Sequence, residues 1–515
     1  MTVMAVELGA QRLLSPYFSS SQIVWTIVIG VIMISMALGN ILGGKLADKR
    51  KPERLFVWLF VAATWIVLIP LFGKFVIALV ALVLATFVTK YYLIWASLLS
   101  CIIVFVFPLL ILGMVTPNIV KFATKNLDNN GKIVGKIEAF STIGSIIGTF
   151  IPTFVSIPYI GTSLTFVVFA VILYIICIIY FAVHKKYVIR SSVIAVVCIT
   201  VGAVSSFIKV AFWSDLLYEG ESVYNYLRVE EDDNSINFST NVLFGVQSVK
   251  MKENRLTGIY YDYAMAAPVM AGVYDKPIDV LILGLGMGTY SYQCYEYFGK
   301  DNLNFDGVEI DGKIIDLAKE YFDLPAEVNV YVEDGRAFLN TTDKKYDVIM
   351  VDAYRDISIP FQMSSVEFFT LVKEHLNEGG NMVVNMNLAA DEEGAINSYL
   401  EGTIKSVFDY VYTIETATSN RELFASDVDV AAALEQNLDK IDRGDLKFLM
   451  TKISERMVTV EQTDYILTDD KAPVEMLGMK MLDKMIEEEL TDIRASIKGK
   501  SIKELIQMLI DGKFL

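Results

Sequence analysis

Hydrophobic positions crowd the first part of the chain and thin out abruptly near residue 210. Apolar runs fall at about 23–44, 55–73, 75–89, 91–114, 139–157, 162–183 and 191–208. Most approach the ~20 residues a helix needs to cross the hydrocarbon of a bilayer, so they predict seven spans. The run 75–89 is short for that purpose and reads as re-entrant or tilted. Met1–Gln11 is a further apolar stretch, broken by Glu7 and followed by Arg12. It is too polar for a cleavable leader and has no small-residue cleavage site, which leaves it as a candidate eighth span. Small residues at spacing four, Gly39/Gly43 and Gly144/Gly148, allow helices to cross closely in a bundle.

The pattern then changes twice. From Glu221 to Val249 apolar and polar residues alternate, as in 224–229 and 244–249, with Asp232-Asp-Asn-Ser235 as turn chemistry between them. This predicts a small antiparallel hairpin. After Pro268, strands at Asp279–Gly284, Phe305–Ile310, Val328–Val332, Tyr346–Asp352 and Asn381–Asn385 are separated by helical stretches. Such alternation predicts a doubly wound α/β sheet. Past Asn387 the chain reads as mostly helical, with charged faces in Asp429–Arg456 and Asp483–Lys500. The predicted architecture is a multi-pass α-helical membrane bundle fused to an α/β Rossmann-like domain of the class I methyltransferase type, which carries a small N-terminal β-hairpin subdomain. The expected boundaries are 1–210 for the bundle, 211–270 for the β subdomain, 271–430 for the nucleoside-binding catalytic domain and 431–515 for a helical extension.

Charge divides the chain at the same place. Residues 1–210 hold 16 Lys and Arg against 5 Asp and Glu, a net of +11, and the remainder holds 28 against 55, a net of −27. A mean hydropathy of +0.46 argues against disorder and against an ordinary soluble enzyme. The acidic half excludes nucleic acid as a partner, because phosphates demand a basic face, and suits a cationic small substrate. Cys101, Cys177, Cys198 and Cys294 are too scattered for a disulfide framework. With only two histidines and no CxxC, no zinc or iron site is expected. The basic loop Lys45–Arg54 belongs in the cytoplasm. Strict alternation through seven spans would put the basic loops 121–136 and 184–190 outside, against that rule; a single crossing by 75–114 satisfies them but leaves the acidic half outside.

Candidate chemistry sits at the strand ends. The first strand runs into Gly284-Leu-Gly286-Met-Gly288-Thr289, where glycines permit a tight turn and close approach to a nucleotide. Glu309 ends the second strand, where an acid can accept both ribose hydroxyls, and Asp334-Gly335 follows the third, where an acid can face an adenine amino group. There is no GxxxxGK[ST] loop for a triphosphate, and the glycine pattern fits S-adenosylmethionine chemistry better than NAD. Asp352 ends the fourth strand, where it can accept a proton from an amine nucleophile or cap the next helix, and Asp356 lies four residues on. Tyr260-Tyr261-Asp262-Tyr263 offers aromatic faces and one acid for an alkylammonium group, or ordinary core.

These motifs, taken in order, resemble the polyamine aminopropyltransferases (spermidine synthases), and the whole chain resembles their membrane-anchored prokaryotic branch. The resemblance rests on Glu7–Tyr17, Ala37–Asp48, Glu221–Tyr226, Gly245–Ser248, Asp352-Ala-Tyr with Ile359-Pro360, and Leu467–Glu475. It implies that an amine such as putrescine attacks the methylene beside the sulfonium of decarboxylated S-adenosylmethionine, releasing methylthioadenosine. It maps Glu309 onto ribose, Asp334 onto adenine, and Asp352 onto the base-side carboxylate. Gln247 would border the nucleoside and amine pockets, and Tyr260 and Asp262 would match the ends of the family's Tyr-His-Glu motif. Dimers are common in the family, which makes a homodimer the expected assembly. The active half is expected on the cytoplasmic side of the inner membrane, where the donor is made.

Two departures stand out. Met287 occupies the place of the family's acid for the aminopropyl nitrogen, and Tyr261 that of its histidine. Met287 leaves room for a methyltransferase using S-adenosylmethionine itself. A third reading makes the bundle a polyamine or lipid transporter with a regulatory nucleoside-binding half, although few ionisable residues fall mid-span. Asp469 and Asp470, in the matched Leu-Thr-Asp-Asp motif, either face the amine or cap a helix.

Overall fold

The computed structural model describes residues 1–478 apart from 19–20, 49–51, 89, 125–129, 212–215, 243–244, 354–358, 387–393 and 418–419, and beyond these 480, 481, 487, 500 and 504. Among the described residues, the regular structure of the first 205 is helical, and five helical segments are long and apolar enough to cross a bilayer: Gln22–Ala47, Pro52–Phe87, Tyr92–Ala123, Asn130–Val183 and Val188–Ser205. The seven apolar runs fall within these five segments. The runs 55–73 and 75–89 belong to one helix, and Lys74 between them is no break: it is 2% exposed, and its Nζ donates to the Ile208 carbonyl. The runs 139–157 and 162–183 share one segment, in which a π-turn over Pro152–Ser156 and Gly161 at φ +79° mark a change of direction. The N-terminal stretch forms the helix Thr2–Phe18, which is outside those five and largely buried by its neighbours.

Of the two small-residue pairs, Gly39, Gly43 and Gly148 sit at close backbone approaches, whereas Gly144 makes only an ordinary contact with Met1. A β-carbon on Gly39 would strike the Leu110 carbonyl, and one on Gly43 would sit 2.7 Å from the Cα of Met114. Gly148 lies equally close to the backbone of Met1. Backbone on backbone leaves no flexible atom to give way. Gly39→Leu is therefore expected to push the two helices apart and to destabilise the bundle by about 1–3 kcal/mol, read as an earlier melt of detergent-purified protein. An unchanged melt would show that the crossing is not tight.

The chain leaves the bundle into a four-stranded antiparallel sheet, in the order β1 (Leu216–Glu221), β2 (Tyr226–Glu231), β3 (Ser235–Ser239) and β4 (Ser248–Met251). The expected hairpin is thus half of a larger sheet. Asp232 closes its turn by accepting from the backbone N–H of Asn234 and Ser235, both at 2.7 Å. However, β2 pairs with the short β3 rather than with the 244–249 run, which pairs further on. This sheet is tied to the bundle: Thr162 Oγ1 donates to Glu221 at 2.6 Å, and Arg12 donates to the Ser222 carbonyl at 3.1 Å.

A second sheet contains β5 (Ile278–Leu283), β6 (Leu303–Val308), β7 (Asn329–Tyr331), β8 (Tyr346–Val351), β9 (Leu376–Met386), β10 (Tyr410–Glu415), β11 (Arg421–Ser426) and β12 (Val458–Thr459). Their spatial order is β12-β10-β11-β9-β8-β5-β6-β7. Strands β5 to β9 run parallel, and β10 to β12 are added antiparallel. Three of these, β10, β11 and the two-residue β12, correct the expectation of mostly helix beyond 387. Val411, Thr413 and Arg421–Ser426 alternate or bury as strands do, but the signal is short and edge-like. The helices Val430–Asn437 and Gly444–Arg456 do form, and their Leu434, Leu446, Met450 and Ile453 pack with Val280, Val348 and Phe424 in one core. The stretch 483–500 lies almost wholly outside the described residues. Between β5 and β8 the chain order reverses, and in open sheets ligands bind in the crevice beyond the carboxyl ends at such a point.

Candidate active site

The loop after β5 takes its shape from its own backbone. Gly284 has φ +93°, and a β-carbon there would stand 2.5 Å from the Asp352 carbonyl oxygen. Only glycine lets the β5 and β8 exits approach so closely. The N–H groups of Gly284 and Leu285 both reach the Val308 carbonyl at 2.9 Å, which seats the loop on β6. Gly286 and Gly288 also have positive φ, and Gly288 precedes the helix Thr289–Phe298.

Glu309 follows β6 and is buried beneath this loop. Its Oε2 accepts from Gly286 N–H at 2.9 Å and its Oε1 from Asp311 N–H at 3.1 Å. Burial pushes its carboxyl up to about 7, with the nearby Asp311 charge adding to the shift and the backbone N–H bonds opposing it. Asp311 itself accepts from Ser222 Oγ at 2.5 Å and Asn225 Nδ2 at 3.1 Å. A hydrogen-bonded series therefore runs from Arg12 in the bundle through Ser222 and Asp311 to Glu309. Sequence reading missed Ser222 and Asp311; the local signal was the Asp-Gly pair opening the helix Gly312–Tyr321, which Asp311 caps.

Asp352, half-buried, is the centre of a second cluster. Tyr260 Oη donates to its Oδ2 at 2.7 Å, and Asn385 Nδ2 donates to its Oδ1 at 2.9 Å. Burial pushes the Asp352 carboxyl up to about 7; donors from Asn385, Tyr260 and Tyr261 pull the other way, and Glu309 adds repulsion. Tyr261 Oη donates to the Gln247 carbonyl at 2.8 Å. Asn385 was not legible as a site residue, because only the pairing of β8 with β9 sets it beside Asp352.

Several expected residues sit differently. The Gln247 side chain accepts from Thr240 N–H at 2.9 Å, so its backbone carbonyl is what meets the tyrosines. Asp262 is 2% exposed and accepts from Thr257 N–H, Thr257 Oγ1 and Gly258 N–H, which makes it the anchor of a turn separate from the Asp352 cluster. Asp334 caps the helix Gly335–Thr341 by accepting from Ala337 N–H at 2.9 Å. Gly335 packs near Met363 and Leu283. Asp469 pairs with both Nη atoms of Arg336 at 2.7 Å and accepts from Ser365 Oγ, so an arginine already takes its charge. Asp356 lies outside the described residues. Met287 is 1% exposed among Leu227, Val229, Phe238 and Ile314, where it joins the glycine loop to the small sheet. Among the described residues, no three His, Cys, Asp or Glu side chains are placed to hold a metal ion.

Comparison with known proteins follows the same lines. Residues 259–428 match the spermine/spermidine synthase domain. A protein of Bifidobacterium longum (strain NCC 2705), named a probable polyamine aminopropyl transferase, is 48% identical over 349 residues, which span 64% of this chain and 77% of that protein. The polyamine aminopropyltransferase of Vibrio vulnificus (strain CMCP6) is 26% identical over 223 residues, 41% of this chain and 72% of the relative. The crystal structure of a probable spermidine synthase from Corynebacterium glutamicum ATCC 13032 superposes with a TM-score of 0.37 at 18% identity, covering 49% of this chain and 98% of that one.

Proposed function

The chain belongs to the polyamine aminopropyltransferases, and from that premise we propose a membrane-bound enzyme that moves the aminopropyl group of decarboxylated S-adenosylmethionine to an amine such as putrescine. The observation that carries this reading is the Asp352 cluster at the switch point, with β5 and its glycine loop between it and Glu309. In this reading Gly284, Gly286 and Gly288 line the nucleoside, Glu309 accepts its ribose hydroxyls, and Asp334 with Gly335 borders adenine. Tyr260 and Tyr261 flank the amine. The attacking nitrogen gives its proton to Asp352, and the sulfonium leaves as a neutral thioether in methylthioadenosine. A carboxyl held near 7 suits that exchange, since it takes and returns a proton near neutral pH.

A methyltransferase is the second reading, favoured by Met287: an apolar contact in the core attracts no aminopropyl ammonium. Mass spectrometry of the nucleoside by-product separates the two. Purified protein given both donors and a panel of amines is expected to form methylthioadenosine, from the decarboxylated donor and only with amine. S-adenosylhomocysteine would overturn this in favour of methyl transfer.

The membrane reading draws support from the five apolar segments among the described residues, of which Asn130–Val183 exposes Phe140, Phe154 and Tyr159 at 74%, 66% and 82%. Such faces suit lipid. The division near 210 then separates an anchor in the inner membrane from a catalytic half in the cytoplasm, and carbonate extraction of cell membranes tests it by leaving the protein in the pellet.

Glu309 supplies a pH prediction. Its folded value is raised above 4.5, so its contribution to stability in the ligand-free protein is complete below about 4.5 and is lost as pH rises through about 7. Ribose hydroxyls donate to the ionised form and favour it. Methylthioadenosine affinity is therefore expected to rise with pH through about 7, with proton release on binding, measured by calorimetry in buffers of different ionisation enthalpy. A flat profile that Glu309→Gln leaves unaltered would remove Glu309 from the nucleoside site.

A further inference from the structure

Three side chains line up across neighbouring strands at the carboxyl end of the parallel sheet. Val351 of β8 lies beside Val384 of β9, so Asn385 comes next to Asp352 and donates to it. Across the antiparallel pair, Asn385 stands directly opposite Glu422 of β11. Directly opposed residues present their side chains to the same face of a sheet, so the row reads acid, amide, acid. The two acids stand two strand spacings apart, about 10 Å. The short helix Tyr260–Ala264 packs over β9 and β11 on that side, which sets Glu422 under the same tyrosine layer that meets Asp352.

Glu422 differs from the other buried acids in one respect. It is 0% exposed, and among the described residues neither carboxyl oxygen has a hydrogen-bond partner. Asp262 has three donors, Glu309 has two backbone N–H groups, and Asp306 receives Tyr346 and Lys344. An unpaired carboxyl in a core is costly, and an apolar side chain would pack there without that penalty. Burial, reinforced by the Asp352 charge, raises its titration well above the ordinary range. What the site lacks is a cation. The glycine loop supplies no further acid for an ammonium, since Met287 is bound up in apolar packing.

Resting on the aminopropyl-transfer reading, we propose that Glu422 is a second carboxylate of the acceptor-amine site, meeting a distal cationic nitrogen while Asp352 meets the nitrogen that attacks. Arrival of the ammonium releases the Glu422 proton to solvent and leaves a buried ion pair. The acid–amide–acid row then selects acceptors by the number and spacing of their charges. A monoamine engages Asp352 alone and gains nothing from Glu422.

The test compares 1,4-diaminobutane with butylamine on full-length, detergent-purified protein. Glu422→Gln keeps shape and is expected to raise KM for the diamine about tenfold to a hundredfold, with kcat and the KM for butylamine little changed. Methylthioadenosine affinity, as a check on folding, stays the same. Glu422→Leu is expected to melt no earlier than wild type while losing the diamine preference. An unchanged diamine KM, or equal losses with both amines, would overturn the assignment and leave Glu422 a structural acid. Calorimetric titration of 1,4-diaminobutane into wild type and Glu422→Gln decides the same question without turnover. Failure of wild type to form methylthioadenosine with any amine would instead count against the aminopropyl-transfer reading.

Discussion

Asp352→Asn is expected to lower turnover with decarboxylated S-adenosylmethionine by about 10²–10⁴-fold, the range that a positioned proton acceptor supplies. The amide keeps the shape and can still bond Tyr260 and Asn385, but it accepts no proton. Methylthioadenosine affinity should stay close to wild type, because Asp352 approaches the glycine loop through its backbone carbonyl. The pH profile gives an independent reading. With the nucleoside donor saturating, wild-type kcat/KM for the amine should climb with pH through about 7 as the Asp352 carboxyl ionises, and the variant should lose that limb. Turnover unchanged by the substitution would take Asp352 out of the mechanism.

Gly284→Ala is the second large effect, and it is steric. The added carbon would meet the carbonyl oxygen, the carbonyl carbon of Asp352 and the Cα of Ala353 at 2.5, 2.7 and 2.8 Å. All three belong to the backbone at the end of β8, and φ at Gly284 is +93°, where a side chain is itself strained. Either the glycine loop or the strand end must move, and both belong to the site. Loss of methylthioadenosine binding beyond about a hundredfold is expected, together with about 1–3 kcal/mol of destabilisation. Calorimetry and a thermal melt measure both. Wild-type affinity in the alanine variant would mean that the two strand exits are not in register contact.

Much of this arrangement was legible residue by residue. Gly284, Glu309 and Asp352 each fall at the end of an apolar run, and a parallel sheet gathers such ends on one edge. Lys74 shows the limit of reading hydropathy alone: a charge between two apolar runs looked like a boundary, whereas tertiary packing gives its Nζ a carbonyl partner inside one continuous helix. The strands β10 and β11 were missed for a related reason. They complete the sheet by pairing with β9 and with each other, a long-range gain that a six-residue window does not carry. Asp262 was legible as an acid beside aromatics, but only the turn at Thr257–Gly258 shows which donors hold it.

The sequence by itself determined two kinds of chain, an apolar bundle and an acidic α/β half, because hydrophobic period and charge are local properties. It also determined the order of glycine loop and carboxylates, since each strand announces its own end. Only the tertiary structure decided which groups face one another. Asn385 and Glu422 enter the Asp352 row through strand pairing alone, Ser222 and Asp311 through the docking of one sheet against the other, and Met287 leaves the chemistry for the core through the same contact. Those relations depend on residues far apart in the chain meeting in space, and no spacing within the sequence encodes them.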